Sequence, residues 1–239
     1  MKIKIILNLS PNFANKIRPK RNIKFVIIHY TGMQSEIESI KRLKNPKHKV
    51  SCHYLINRKG QIIQMVKEKY TAWHAGKSKW KKFTNLNKYS IGIELVNKGH
   101  KHGYQAFSTK QIESLIVLCK NLKKKYSIKK ENFLGHSDVA PLRKNDPGEK
   151  FPWKKLSSYN LGKWQKKQKI NLKVKFRAGN INFRFFQNLQ KLGYRYFNVK
   201  KRNINDKKII KSFQRHFLPD NVSGKIDLKT YKISHILTH

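Results

Sequence analysis

A handful of side chains in this sequence could do chemistry together if the fold brings them to one place. His29 lies in the apolar run KFVIIHY (24–30), and His136 ends NFLGH (132–136). Asp146 follows ten residues later inside GHSDVAPLRKNDPGEKFPW (135–153). That stretch packs one histidine, three acidic residues, three prolines and two glycines into nineteen positions. Two imidazoles and one carboxylate from separate segments could supply three protein ligands and leave a fourth position open for water. That is the general form of a catalytic rather than a structural zinc site. Glu94 is the only acidic residue in the apolar run SIGIELVN (90–97). Burying it there is costly unless it has a partner or a task. Lys144, two residues before Asp146, could stand beside a metal and stabilise an oxyanion. Singly, these residues say little. An aspartate before Pro-Gly is often only a turn former, Glu94 could pair with a structural lysine, and His53, His74 and His100 are weaker candidates. Types and spacings together reach a metal hydrolase and go no further.

Several elements must position these groups. KFVIIHY is short, β-branched and apolar, and predicts a buried strand, as does SIGIELVN. His29 and His136 then fall at the ends of strands, where sites form in open α/β sheets. SEIESIKRLKNP (35–46) predicts a helix with a Ser35/Glu38 capping box, stopped by Pro46. HYLINRKGQIIQMV (53–66) predicts a hairpin turning at Lys59-Gly60. STKQIESLIVLCKNLKKKY (108–126) is the strongest helix. Ser108 and Gln111 cap it, and Ile112, Leu115, Ile116, Cys119 and Leu122 recur at helical spacing. In the loop after His136, Pro141 and Pro147 restrict φ and Gly148 permits a turn. Strands alternating with helices predict an α/β domain around a central mixed sheet flanked by helices.

The chain has 239 residues, 38% of them hydrophobic and 11% aromatic, enough for a buried core. Its net charge of +43 invites a nucleic-acid reading. The cations are 45 Lys against 10 Arg, spread along the whole chain, whereas base and phosphate readers favour the arginine fork. No specific nucleic-acid partner is therefore expected, although the charge favours an anionic ligand or surface. The two cysteines form no C-x-x-C pair, which excludes a thiolate zinc site, and Cys119 falls on the apolar face of its helix. The apolar run near the start, Ile5–Leu7, is shorter than a signal-peptide core, and no stretch reaches the length of a membrane span. The expectation is a soluble, cytoplasmic monomer, with the cell envelope as the alternative compartment.

Composition shifts at NLGKWQKKQKINLKVK (160–175), which is polar, basic and weakly periodic. It is read as a linker between a catalytic domain at 1–159 and a small helical domain at 176–239. Amphipathic segments at 181–192, 206–217 and 227–237 predict three helices, with Asp206 and Asp227 as N-caps of the last two.

Five ordered blocks carry a resemblance: SPNF…FVIIHYTGM, SCHYLINRKGQIIQMV, AWHAGKSKW, SIGIELVN and GHSDVAPLRKNDPGEKFPW. Together they resemble the zinc-dependent N-acetylmuramoyl-L-alanine amidases of the type-2 group, whose fold is shared with peptidoglycan recognition proteins. The match runs from about Ser10 to Trp153. It implies zinc ligands at His29, His136 and Asp146, a catalytic carboxylate at Glu94 and a cationic partner at Lys144. It further implies that AWHAG (72–76) lines a groove for peptidoglycan or muropeptide, with His74 near the scissile bond. The expected substrate-binding residues are Trp73, His74, Tyr30 and His53. A non-catalytic peptidoglycan-binding protein of the same fold is the alternative. FQRHFLPDNVSGKIDLKT (213–230) is similar to the signature of three-helix peptidoglycan-binding modules, and a helical appendage packed on the first domain is the competing reading.

Overall fold

The computed structural model describes residues 4–165 and 178–238, with side chains in the first C-terminal helix described from residue 181. Six strands build the central sheet: β1 (Ile5–Leu7), β2 (Phe25–Tyr30), β3 (Tyr54–Ile56), β4 (Ile62–Gln64), β5 (Ser90–Leu95) and β6 (Phe133–Gly135). Their spatial order is β1-β4-β3-β5-β2-β6. Only the β3–β4 hairpin is antiparallel, so the sheet is mixed. Helices α1 (Glu36–Lys44) and α2 (Thr109–Tyr126) accompany it, and two short ones, α3 (His136–Val139) and α4 (Trp153–Ser158), follow β6. Three more helices close the chain: α5 (Ala178–Leu192), α6 (Asp206–Phe217) and α7 (Leu228–Ile236).

Strand alternation sorts the side chains onto two faces. Val26, Ile28, Ile91, Ile93 and Phe133 share a hydrophobic cluster with Ile112, Leu115, Ile116 and Cys119 of α2. Phe25, Ile27 and Leu134 belong to a second cluster on the other face. His29 continues the Phe25–Ile27 series and therefore points away from α2. Register does the rest. In the parallel β2–β5 pair His29 lies opposite Glu94, and in the β6–β2 pair Gly135 lies opposite Ile28, which leaves His136 beside His29.

The second cluster does not stop at the sheet. It runs on into Phe185, Phe186 and Leu189 of α5, Ile209 and Phe213 of α6 and Tyr231 and Ile233 of α7. The expected linker divides: Leu161 is fully buried and Gln165 donates to the Phe217 carbonyl at 3.2 Å, while 166–175 lies outside the described residues. Both cysteines are buried and unpaired. Among the described residues, no helix is long and apolar enough to cross a membrane.

Local expectations needed small corrections. The capping box of α2 is complete. In α1 only half forms: Ser35 caps Glu38, but the Glu38 carboxylate takes the N–H of Gln34. Asp227 caps α7, whereas Asp206 is already inside α6 and accepts from the N–H of Asn203 at 2.9 Å. His136 opens α3 rather than ending a strand, because Asp138 accepts the N–H of Gly135 and starts the helical turn there.

Candidate metal centre

Three donor atoms converge beyond the ends of β2 and β6. His29 Nδ1 lies 3.0 Å from His136 Nδ1 and 3.0 Å from Asp146 Oδ2, and His136 Nδ1 lies 3.0 Å from the same oxygen. Donors about 2.0–2.1 Å from a tetrahedral zinc ion stand roughly 3.3 Å apart. The triangle is therefore close to the size a metal ion requires, and His29, His136 and Asp146 could hold one. All three are buried.

The far side of each imidazole is already engaged. His136 Nε2 lies 3.1 Å from the Ala75 carbonyl, which can only accept, and 3.3 Å from Arg143 Nη2, which can only donate; ligation through Nδ1 requires the proton on Nε2, facing the carbonyl. His29 Nε2 faces His74 Nδ1 at 3.0 Å, and His74 Nε2 faces Ser90 Oγ at 3.1 Å. Ser90 Oγ donates to the Leu86 carbonyl at 2.6 Å. A consistent assignment runs outward: His29 Nε2–H to His74, His74 Nε2–H to Ser90, Ser90 O–H to Leu86. Such partners fix the tautomer and ring orientation of a metal ligand. Burial, then the neighbouring His136, lowers the pKa of His29 to about 4. Burial and the same neighbours hold His74 well below the usual histidine range. Burial alone would raise the pKa of Asp146, but the two imidazoles outweigh it and keep the carboxylate ionised. The donor set is two imidazoles and one ionised carboxylate.

The Asp146 loop is tied from several sides. Ser137 N–H donates to the Asp146 carbonyl at 2.8 Å, and Tyr104 Oη donates to the Pro147 carbonyl at 2.6 Å. Gly148 sits at φ +85, where a Cβ would also lie 2.5 Å from Tyr104 Oη, so only glycine fits.

The cluster opens into a cavity of about 560 Å³ that Glu94, Lys144, Tyr30, Trp73, His74 and Arg143 help to line. Glu94 Oε2 is out of solvent's reach and accepts no hydrogen bond. Burial first, and the Asp146 charge second, raise its pKa to about 8 against the opposing pull of Lys144. A larger hollow of about 710 Å³ between the β3–β4 turn and α2 contains none of these groups.

His53 does not line this cavity. It is fully buried, its Nδ1 accepts the Gly92 N–H at 3.0 Å, and its Nε2 faces Arg18 Nη2 at 2.8 Å and the Tyr70 carbonyl at 3.1 Å. Burial and the adjacent Arg18 keep it neutral. It is a satisfied core histidine joining β5 to the loop before β3. His74 lines the cavity but is committed to His29. Sequence reasoning missed Ser90, which ends the histidine chain, and Gly92, where a Cβ would meet His74 Cγ at 2.3 Å. A glycine inside a strand was the available signal, since it often marks a close approach. It also missed three cations at the cavity, Arg42, Lys101 and Arg143.

A mixed sheet whose strand ends present two imidazoles and a glutamate with one unpaired oxygen, beside a loop that brings an ionised aspartate, is the architecture of a metal-binding hydrolytic site. Residues 19–149 match the family profile described as N-acetylmuramoyl-L-alanine amidase, and the chain belongs to that family. It is 36% identical to the amidase AmiD of Escherichia coli over 229 residues, covering 90% of this chain and 82% of that protein. The solved structure of AmiD with the substrate anhydro-N-acetylmuramic acid-L-Ala-D-gamma-Glu-L-Lys superposes with a TM-score of 0.78 at 34% identity, covering 94% of this chain and 91% of that one. AmpDh3 of Pseudomonas aeruginosa, solved with anhydromuramic pentapeptide, gives a TM-score of 0.80 at 28% identity, covering 95% of each chain. The 1,6-anhydro-N-acetylmuramyl-L-alanine amidase AmpD of Haemophilus influenzae is 34% identical over 167 residues, 62% of this chain and 88% of that protein.

Proposed function

We propose that this chain hydrolyses the amide bond between the lactyl group of N-acetylmuramic acid and the L-alanine of the stem peptide, with zinc held by His29, His136 and Asp146. One observation carries the reading: three donor atoms, each 3.0 Å from the other two, stand in a cavity that also holds an unpartnered glutamate. Two imidazoles and a carboxylate, with both remaining imidazole nitrogens engaged, suit zinc. Zinc, when bound, supplies Lewis acidity, acidifying water and polarising the scissile carbonyl.

Glu94 is the proton carrier. With no protein donor on Oε2, it can take a proton from the attacking water as the oxygen–carbon bond forms. It returns that proton to the nitrogen of L-alanine as the carbon–nitrogen bond breaks. A carboxyl whose pKa lies near the working pH exchanges protons efficiently in both directions. The Lys144 ammonium stabilises the negative charge that grows on the carbonyl oxygen. His74 holds His29 in the ligating tautomer, and its own contact with substrate is secondary. Tyr30 and Trp73, half-buried in the cavity wall, offer ring faces to the muramyl peptide. Arg42, Lys101 and Arg143 complement the carboxylates of the stem peptide.

Both solved relatives hold anhydromuramyl peptides, which supports soluble anhydromuropeptides as the preferred substrate. The deciding experiment compares soluble anhydromuropeptide with intact sacculi, each with and without a chelator. The expected result is chelator-sensitive release of peptide with a free L-alanine amino terminus, faster from the soluble substrate. No release from either substrate by zinc-loaded protein would overturn the proposal. Preference for the soluble substrate fits the cytoplasmic residence expected from the sequence, and efficient cleavage of sacculi fits the envelope.

A further inference from the structure

The helix that begins with His136 is held by residues from the far end of the chain. Asp138 is buried, 1% exposed, and each of its oxygens is taken. Oδ1 accepts from Tyr194 Oη at 2.6 Å, and Oδ2 accepts from His216 Nδ1 at 2.7 Å and from the Gly135 N–H at 2.8 Å. One residue earlier, the Ser137 carbonyl accepts from Ser212 Oγ at 2.7 Å, while the Ser137 N–H holds the Asp146 backbone. The His216 ring is fixed by stacking, with Trp153 at 3.9 Å and Phe217 at 4.0 Å between centroids. A second tie reaches the Asp146 loop. Arg215 approaches Glu149 at 3.8 Å, Glu149 meets His100 Nε2 at 3.1 Å, and His100 Nδ1 meets Tyr30 Oη at 2.9 Å.

We infer that α6 and the segment following α5 act as a positioning element for the metal centre, setting His136 and Asp146 through the grip of Tyr194, Ser212 and His216 on residues 137–138. The inference rests on the metal reading above. Its physical basis is the shortness of α3. Four residues make a single helical turn, which is marginal alone, and the two ligands it links are ten residues apart along a loop without regular structure. Three buried side-chain hydrogen bonds, two from α6 and one from Tyr194 just after α5, supply the rigidity that the turn lacks. Partners that orient metal ligands are typically worth about 10–100-fold in affinity, and one step further out the effect should be nearer the lower bound.

The test is cobalt affinity of the full chain by chelator competition, together with the visible absorption bands that report cobalt coordination geometry. His216→Ala removes the donor to Asp138. His216→Asn loses the same stacking but keeps an N–H near the position of Nδ1. Tyr194→Phe removes a single hydroxyl. Phe186→Leu, in the helical core where the ring packs on Phe185 and Phe197, serves as the control for general loosening. Expected are losses of about 10-fold for His216→Ala and about 3–10-fold for Tyr194→Phe, with altered cobalt bands. His216→Asn should recover most of the affinity, and Phe186→Leu should stay within about twofold of the parent. Equal affinities for His216→Ala and His216→Asn, or a control as weak as either, would overturn the inference. A parent protein that binds no cobalt would instead sink the metal reading, and this inference with it.

Discussion

Two glutamates, Glu68 buried and Glu94 half-buried with one oxygen out of solvent's reach, stand on different parts of the same sheet scaffold and have opposite surroundings. Glu68 takes hydroxyls from Tyr54 and Tyr126, each at 2.5 Å, and the ammonium of Lys125. Burial alone would raise its pKa, yet Lys125 and the two tyrosines bring it below the ordinary carboxylate value. Glu94 has an oxygen with no partner, and its pKa is pushed up to about 8. A carboxylate provided with donors has been made part of the scaffold. One buried without them costs the fold stability, and such a cost is retained where the group has chemistry to perform. The histidines divide the same way: both ring nitrogens of His53 are engaged within the core, by the Gly92 N–H, the Tyr70 carbonyl and Arg18, while His29 and His136 turn one nitrogen each toward a shared point.

The largest expected effect separates the two glutamates by activity. Glu94→Gln should lower turnover by about 10²–10⁴-fold, the usual range for a proton-transfer group, while bound zinc measured by elemental analysis stays at the parent level. Glu68→Gln, assayed per folded molecule, should leave turnover within about twofold. Comparable losses in the two variants would erase the distinction.

Next comes the seat of the histidine chain. Gly92→Ala places a methyl where His74 now stands, so zinc affinity by chelator titration should fall about 10–100-fold, with the circular dichroism spectrum unchanged. Parent-like affinity would show that His74 does not orient His29.

Stability separates the glutamates again, with opposite sign. Glu68→Gln weakens the hydrogen bonds that the buried carboxylate accepts from Tyr54 and Tyr126 and removes its pairing with the exposed Lys125, and should cost about 1–3 kcal/mol in urea unfolding at pH 7. In chelator-treated protein, Glu94→Gln should be neutral near pH 4.5 and stabilising, by as much as ~4 kcal/mol, near pH 8. The signs follow from linkage. The folded state keeps the Glu94 proton up to about pH 8, whereas the unfolded chain releases it near 4.5, so parent stability declines across that window. The Glu68 carboxyl titrates lower when folded, so its contribution is full at neutral pH and fades as the pH falls below the ordinary carboxylate range. Parallel pH profiles for the two variants would contradict this assignment. The smallest effect concerns the cavity cations. Raising salt from about 0.05 to 0.5 M should raise KM several-fold and leave kcat nearly constant, because it screens Arg42, Lys101 and Arg143 without touching buried groups.

Much of the site was legible before the fold was known, for a physical reason. His29, Glu94 and His136 sit at or beside the ends of short apolar runs, and parallel strands bring such ends together. Asp146 is written into a proline- and glycine-bounded loop whose shape is largely local. What could not be read depends on long-range registration. His53 and His74 look alike in sequence, and only the pairing of β3 with β5 and the gap at Gly92 send one into the core and the other to His29. The bracing of Asp138 joins residues 56 and 78 positions apart, and the amphipathic patterns of the C-terminal segments foretold helices without foretelling which surface they would grip.

Metal stoichiometry in the purified, zinc-reconstituted protein tests the convergence of the three ligands most directly. Elemental mass spectrometry should find one zinc per chain in the parent and in Glu94→Gln, and close to none in His29→Ala, His136→Ala and Asp146→Ala. A parent that takes up no zinc, or ligand variants that retain it at the parent level, would contradict a shared ion at this site.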